Sequence, residues 1–133
     1  MNKISTLLAT AVVIAIFITT GCERNIEVYD LVVTEVNEVG ELRKTTAKLE
    51  IKGMMCEVGC VAKVKKELLE KKGVSNVTVN FESDREIDFA TIEYDPQIET
   101  VESLASVVTN IADGKLYGVP SALVTNYAPS TSN

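Results

Sequence analysis

The 133-residue chain contains no histidine and no tryptophan. Without imidazole, any site for a soft metal ion must be built on sulfur. The absence also weakens the case for hydrolase or transferase chemistry, as does the lack of a Gly-x-Ser-x-Gly elbow and of a Gly-rich phosphate loop. Aromatic residues make up only 5% of the chain, too few to suggest a stacking platform for nucleic-acid bases. Positive charge is short as well. Lys and Arg number 13 against 19 Asp and Glu, giving a formal net charge of -6. A nucleic-acid partner would call for the opposite excess. The chain therefore reads as a binding protein, not an enzyme, with one modest domain and a real core.

There is one long apolar run, Leu7 to Ile18, and it is too short to span a bilayer comfortably. With Lys3 before it and Thr19-Thr20-Gly21-Cys22 after it, residues 1–21 read as a secretory signal. Gly21-Cys22 after a small residue resembles the bacterial lipobox, in which the cysteine is acylated and becomes the mature N-terminus. The box is imperfect, because Thr19 stands where Leu is usual and Ile18 lies one place early. Lipidation at Cys22 predicts an anchored protein of the bacterial cell envelope, extracytoplasmic on the periplasmic or surface face. Cleaved secretion and an uncleaved N-terminal anchor are the alternatives.

If Cys22 carries lipid, the free thiols are Cys56 and Cys60, within Gly53-Met54-Met55-Cys56-Glu57-Val58-Gly59-Cys60. This stretch follows an alternating strand and runs into an amphipathic helix. A thiolate pair selects Cu(I) and similar soft ions and is too small for a closed structural zinc site. Cys56 is expected in the loop and Cys60 at the start of the helix. Unpaired N–H groups and the helix dipole there favour the thiolate. Gly53 and Gly59 allow a tight turn. Two bland readings stand beside this one: a Cys56–Cys60 disulfide, or two small buried hydrophobes. A thiol–disulfide enzyme fits less well, because three residues separate the cysteines instead of two.

The segment from Thr45 to Val124 resembles a heavy-metal-associated domain, the module of copper chaperones, P-type ATPase N-termini and the periplasmic mercury-binding protein. Gly53-Met54-Met55-Cys56 matches the start of the family's Gly-Met-x-Cys-x-x-Cys. Gly73-Val74 sits at the family's Gly-Val, and Ala90 to Pro96 resembles its third strand and closing Asp. The departure is the extra residue between the cysteines. The resemblance implies a soft-metal carrier, with Cu(I) foremost and Hg(II) or Zn(II) possible cargo. Its partner would be a metal-transporting ATPase or efflux protein. It implies that Met54 packs beneath the metal loop and that Lys115 and Tyr117 approach the sulfurs from the loop after the second helix. A rival outcome is a metal-free interaction module that kept the fold, with a Cys56–Cys60 disulfide or free thiols.

Periodicity supplies the elements. Residues 23–44 form a tether or an extra strand, with Ile26 to Val36 rich in β-formers. Ala47, Leu49 and Ile51 share one face of a first strand. Val61, Val64 and Leu68 make the buried stripe of a helix from Val58 to Lys72, whose other face is lysine-rich. That lysine face is either a docking surface or simply solvated. Val77, Val79 and Phe81 mark a second strand. Ile87 to Tyr94 is a third, with Ala90, Ile92 and Tyr94 inward. A second helix over Thr100 to Ala112 buries Val101, Leu104, Ala105, Val108 and Ile111. Lys115 to Val124 closes the sheet, and residues 126–133 read as a disordered tail. The expected fold is α+β, a ferredoxin-like βαββαβ sandwich. Its heavy-metal-associated domain would span 45–125, with a four-stranded antiparallel sheet and two helices on one face.

Overall fold

A computed structural model describes residues 29–39 and 45–128. Residues 1–21, read above as a leader, and Cys22, expected to carry lipid, lie outside the described residues, as does the end of the tail. Among the described residues, no helix is long and apolar enough to cross a membrane.

Seven elements follow one another along the chain: β1 Val32–Val39, β2 Thr45–Lys52, α1 Gly59–Leu69, β3 Val74–Asn80, β4 Ile87–Tyr94, α2 Val101–Thr109 and β5 Ser121–Ala128. The strands form one sheet in the order β1-β5-β2-β4-β3. From β2 to β5 this is the ferredoxin-like arrangement with antiparallel neighbours. The departure is β1, which adds a fifth strand parallel to β5. The sheet is therefore mixed and five-stranded, where the sequence predicts four antiparallel strands. The cause is local composition. Val32, Val33, Val36 and Val39 suit an extended backbone, and β5 offers them an open edge.

The two helices lie over a core drawn from alternate strand positions. Ala47, Leu49 and Ile51 of β2 and Ala90, Ile92 and Tyr94 of β4 point inward, as their spacing predicts. Val64 and Leu68 of α1 meet them, with Val61 half-buried beside them. From α2 come Val101, Leu104, Ala105 and Val108, with Ile111 just beyond its end. Burial of each large aliphatic side chain contributes roughly 1.5–3 kcal/mol, so this shared core carries most of the stability.

Element ends differ from the periodicity in instructive ways. Helix α1 stops at Leu69, and Glu70 to Lys72 form the turn that leads into Gly73. Gly73 is left-handed, with φ 82°. A Cβ there would meet Ile98 Cβ at 2.9 Å, so both conformation and space call for glycine. Thr100 caps α2 by accepting the Ser103 backbone N–H at 3.2 Å, as expected of its residue type. Helix α2 ends at Thr109, because Ala112, Asp113 and Gly114 all turn left-handed in succession. The largest shift is at the C-terminus. Strand β5 begins only at Ser121 and continues to Ala128, so Asn126 to Ala128 belong to the sheet and not to a disordered tail. Asn126 Oδ1 accepts a hydrogen bond from the Thr45 hydroxyl at 3.1 Å, and β1 holds the opposite edge of β5 along its whole length.

Candidate metal centre

At the C-terminal end of β2 the chain leaves the sheet through Gly53, whose φ is 91°. This is a left-handed conformation that side chains avoid. The position is also crowded: a Cβ on Gly53 would overlap the Leu116 carbonyl oxygen and lie 3.3 Å from its carbonyl carbon. Two hydrogen bonds clamp the same spot. Lys52 N–H donates to the Gly118 carbonyl at 2.8 Å, and Gly118 N–H donates back to Lys52 at 3.1 Å. The loop after α2 is thereby locked onto the start of the cysteine loop.

Past Gly53, Met54 turns inward and is buried in the core, while Met55 is 79% exposed. Cys56 is exposed and Cys60 is half-buried. Glu57 and Val58 form a turn, and α1 starts at Gly59. No side-chain oxygen caps this helix. Instead the Cys60 backbone N–H donates to Cys56 Sγ at 3.1 Å. The sulfur occupies the place that a Ser or Asp oxygen would take, where orphan N–H groups and the helix dipole stabilise negative charge. Gly59 leaves room for it, since a Cβ there would lie 3.4 Å from Cys56 Sγ. Both thiols thus converge on one helix N-terminus.

Tyr117 reaches the same place from the opposite loop. It is 3% exposed, and its hydroxyl bonds to Cys60. Partial burial works against a charged Cys60. Hydrogen bonds from the Cys56 side chain, from the Tyr117 hydroxyl and from the backbone N–H groups of Met55 and Cys56 outweigh that burial, and the thiol is brought down to about 7. Burial also raises the Tyr117 phenol, and its bond to Cys60 and the charge of both sulfurs raise it further. Tyr117 therefore stays protonated and donates.

Of the residues singled out in the sequence, the structure brings Cys56, Cys60 and Tyr117 together and packs Met54 beneath them. Lys115 is exposed, and its ammonium makes no ion pair among the described residues. Sequence reasoning did not reach Tyr29. Its ring packs on Gly118, where a Cβ would meet Tyr29 Cδ2 at 2.6 Å, and lies 5.1 Å from Lys52 Nζ. Lys52 pairs in turn with Glu86 at 3.0 Å, across to the β3–β4 turn. No motif announces these contacts; they follow from β1 being a strand. Among the described residues, no three His, Cys, Asp or Glu side chains cluster as a larger ligand set. The candidate ligands are two sulfurs, with the Tyr117 hydroxyl bonded to one of them.

Comparison with known proteins places this geometry in context. The pattern of the heavy-metal-associated domain family matches residues 48–113. Among solved structures, the chain resembles the N-terminal domain of a potential copper-translocating P-type ATPase from Bacillus subtilis in its Cu(I)-loaded state. Identity is 28%, over 58% of this chain and 85% of that one, with a TM-score of 0.48. The CopZ metallochaperone is 22% identical over 56% of this chain and 97% of its own, with a TM-score of 0.46. The mercury-bound form of the periplasmic protein MerP is 28% identical over 59% and 96%, with a TM-score of 0.39. No curated protein sequence matches the chain.

Proposed function

Since residues 48–113 make this chain a member of the heavy-metal-associated domain family, we propose that it captures a soft metal ion, Cu(I) foremost, between Cys56 and Cys60, and passes it on outside the cytoplasm while anchored through lipid on Cys22. The observation that carries this reading is the convergence of the two sulfurs at the start of α1, with Cys60 N–H on Cys56 Sγ at 3.1 Å and Tyr117 on Cys60. Two thiolates satisfy a low-coordinate soft ion and leave a zinc or calcium shell incomplete. A thiol near 7 is half-ionised at neutral pH, so little free energy is spent on removing its proton when metal arrives.

Exposure of Cys56 gives the transfer step. An incoming thiolate pair from a metal-transporting ATPase or efflux partner can reach the ion from the Cys56 side while Cys60 still holds it. Transfer then proceeds by ligand exchange, and no bond in the protein is made or broken apart from those to metal. The protonated Tyr117 donates to Cys60 throughout and moderates the net negative charge of a dithiolate centre.

The test is anaerobic titration of the reduced chain from Glu23 onward with Cu(I) against a competing chelator, beside the Cys56→Ser/Cys60→Ser variant. The expected result is tight binding of about one ion per chain, abolished by the double substitution. Equal retention by the variant, or no competition by the native chain, removes the copper reading. Parallel titrations with Hg(II) and Zn(II) then separate another cargo from a domain that binds none.

A further inference from the structure

Strand β1 does more than widen the sheet, because it fixes which end of the domain the N-terminal anchor leaves from. It runs parallel to β5, so it starts where β5 starts. Val32 N–H donates to the Pro120 carbonyl at 3.0 Å, and Tyr29 packs on Gly118. Gly118 is clamped to Lys52, and Lys52 is followed directly by Gly53 and the cysteine loop. The first described residue of the chain therefore lies beside the metal mouth, on the same end of the domain as Cys56 and Cys60.

Seven residue steps separate Tyr29 from Cys22. At roughly 3.5 Å per step, their greatest reach is about 24 Å. An eight-residue strand is itself about 26 Å long at roughly 3.3 Å per residue. Even a fully stretched tether is thus no longer than the sheet. It cannot let the far end, at Asp95-Pro96-Gln97, rest on the membrane with the mouth turned to bulk solvent. The surface at the mouth also suits an interface. Met55 is 79% exposed, Val58 83% and Leu116 45%, and these three apolar side chains flank the cysteines from both loops.

We infer that the metal mouth faces the bilayer that carries the chain's own anchor, with Met55, Val58 and Leu116 turned toward the lipid surface. This rests on the anchoring of Cys22 proposed above. It adds that the orientation is set by strand pairing: β1 carries the tether back to the cysteine end. Capture and release of the ion then take place at membrane level, and a soluble acceptor in the bulk meets the closed far end. A short tether makes even a weak contact of three side chains sufficient, because it holds them at high effective concentration.

The experiment uses the full chain, expressed with its own leader and reconstituted in vesicles whose lipid headgroups carry an energy-transfer acceptor. A fluorescent amino acid is placed either at Val58, beside the mouth, or at Gln97, on the exposed far turn. The expected result is transfer several-fold stronger from position 58 than from position 97. Insertion of about twenty Gly and Ser residues after Arg24 should bring the two close to equality, since such a linker reaches past the length of the domain. Equal or reversed transfer in the native-length chain, or a difference that survives the long linker, overturns the orientation. Mass spectrometry of Cys22 and flotation with the vesicles are read in the same samples. An unmodified chain that does not float overturns the anchor reading itself, and with it the orientation. An acylated, floating chain with the wrong transfer ratio overturns the orientation alone.

Discussion

Replacement of Gly53 by Ala tests whether the cysteine loop is shaped by backbone contact with the loop after α2. The substitution adds one methyl group at φ 91°. A left-handed conformation costs an L-residue about 1–2 kcal/mol. The new Cβ also overlaps the Leu116 carbonyl, and backbone cannot move aside as a side-chain tip can. Relief requires the Leu116–Gly118 segment to retreat by roughly 1 Å, beyond the range of good hydrogen bonds. The retreat breaks the paired Lys52–Gly118 hydrogen bonds, which contribute about 1 kcal/mol each. The sum is about 3–4 kcal/mol, or a fall in Tm of roughly 12–30 °C for a domain of this size. Urea and thermal unfolding of the reduced chain from Glu23 would measure it. The same variant carries a second readout. Tyr117 moves with its loop, so the Cys60 titration, followed by thiolate absorbance, should rise above its native value of about 7. A loss under about 1 kcal/mol together with an unchanged titration would refute the argument that this contact holds the site.

Three further outcomes are expected. Tyr117→Phe removes the hydroxyl that bonds Cys60, and should raise the Cys60 titration and weaken Cu(I) binding about tenfold in chelator competition. The folded-state pKa of Cys60 lies below its unfolded value, so its contribution to stability is fully present above the unfolded thiol pKa and is lost as pH falls through about 7. The urea midpoint of the reduced apo chain should accordingly climb from pH 6.5 to 9, and Cys60→Ser should flatten that climb. Arg85→Ala strips the Asp88 carboxylate, which is fully buried, of its 3.1 Å ion pair and leaves only the Glu82 N–H on Oδ1. The expected loss is about 1.5–3 kcal/mol, the range for hydrogen bonds to a charged group, measured by urea unfolding, with part regained in Arg85→Ala/Asp88→Asn.

Elements that bury one face were legible because their side-chain period is a direct image of the core. Ala47, Leu49 and Ile51 alternate and are buried; Leu104, Val108 and Ile111 repeat at helical spacing and are buried too. That Cys56 and Cys60 meet at a helix start was legible for a different reason: an alternating strand before them and an amphipathic helix after them leave only a short turn between. Strand β1 was only half legible. Most of its side chains stay exposed, so no alternation marks it, and its partner β5 lies some 90 residues away in sequence. The extent of β5 was hidden in the same way. Asn126 and Tyr127 look like tail, and become strand because β1 and Thr45 meet them from either side. Tyr29 at the metal mouth could not have been found without that pairing.

The spacing of the cysteines is the point at which the local chemistry and the fold meet. Three residues between them, where the family pattern has two, could have moved one sulfur away from the other. The structure absorbs the extra residue by starting the helical winding early. Val58 already has helical angles, φ -82° and ψ -55°, and its carbonyl accepts the Ala62 N–H at 3.2 Å. Cys56 stands before the helix and Cys60 in its first turn, and the turn through Glu57 and Val58 folds the Cys56 sulfur back onto the Cys60 N–H. The longer spacing thus lets Cys56 Sγ cap the helix by accepting the Cys60 N–H. Removing Val58 should restore the shorter spacing while taking away that hydrogen bond. If the same turn is what sets the Cys56 side chain and the Met55 and Cys56 N–H groups on the Cys60 thiol, the deletion variant will titrate above about 7 even though its sequence is closer to the family pattern.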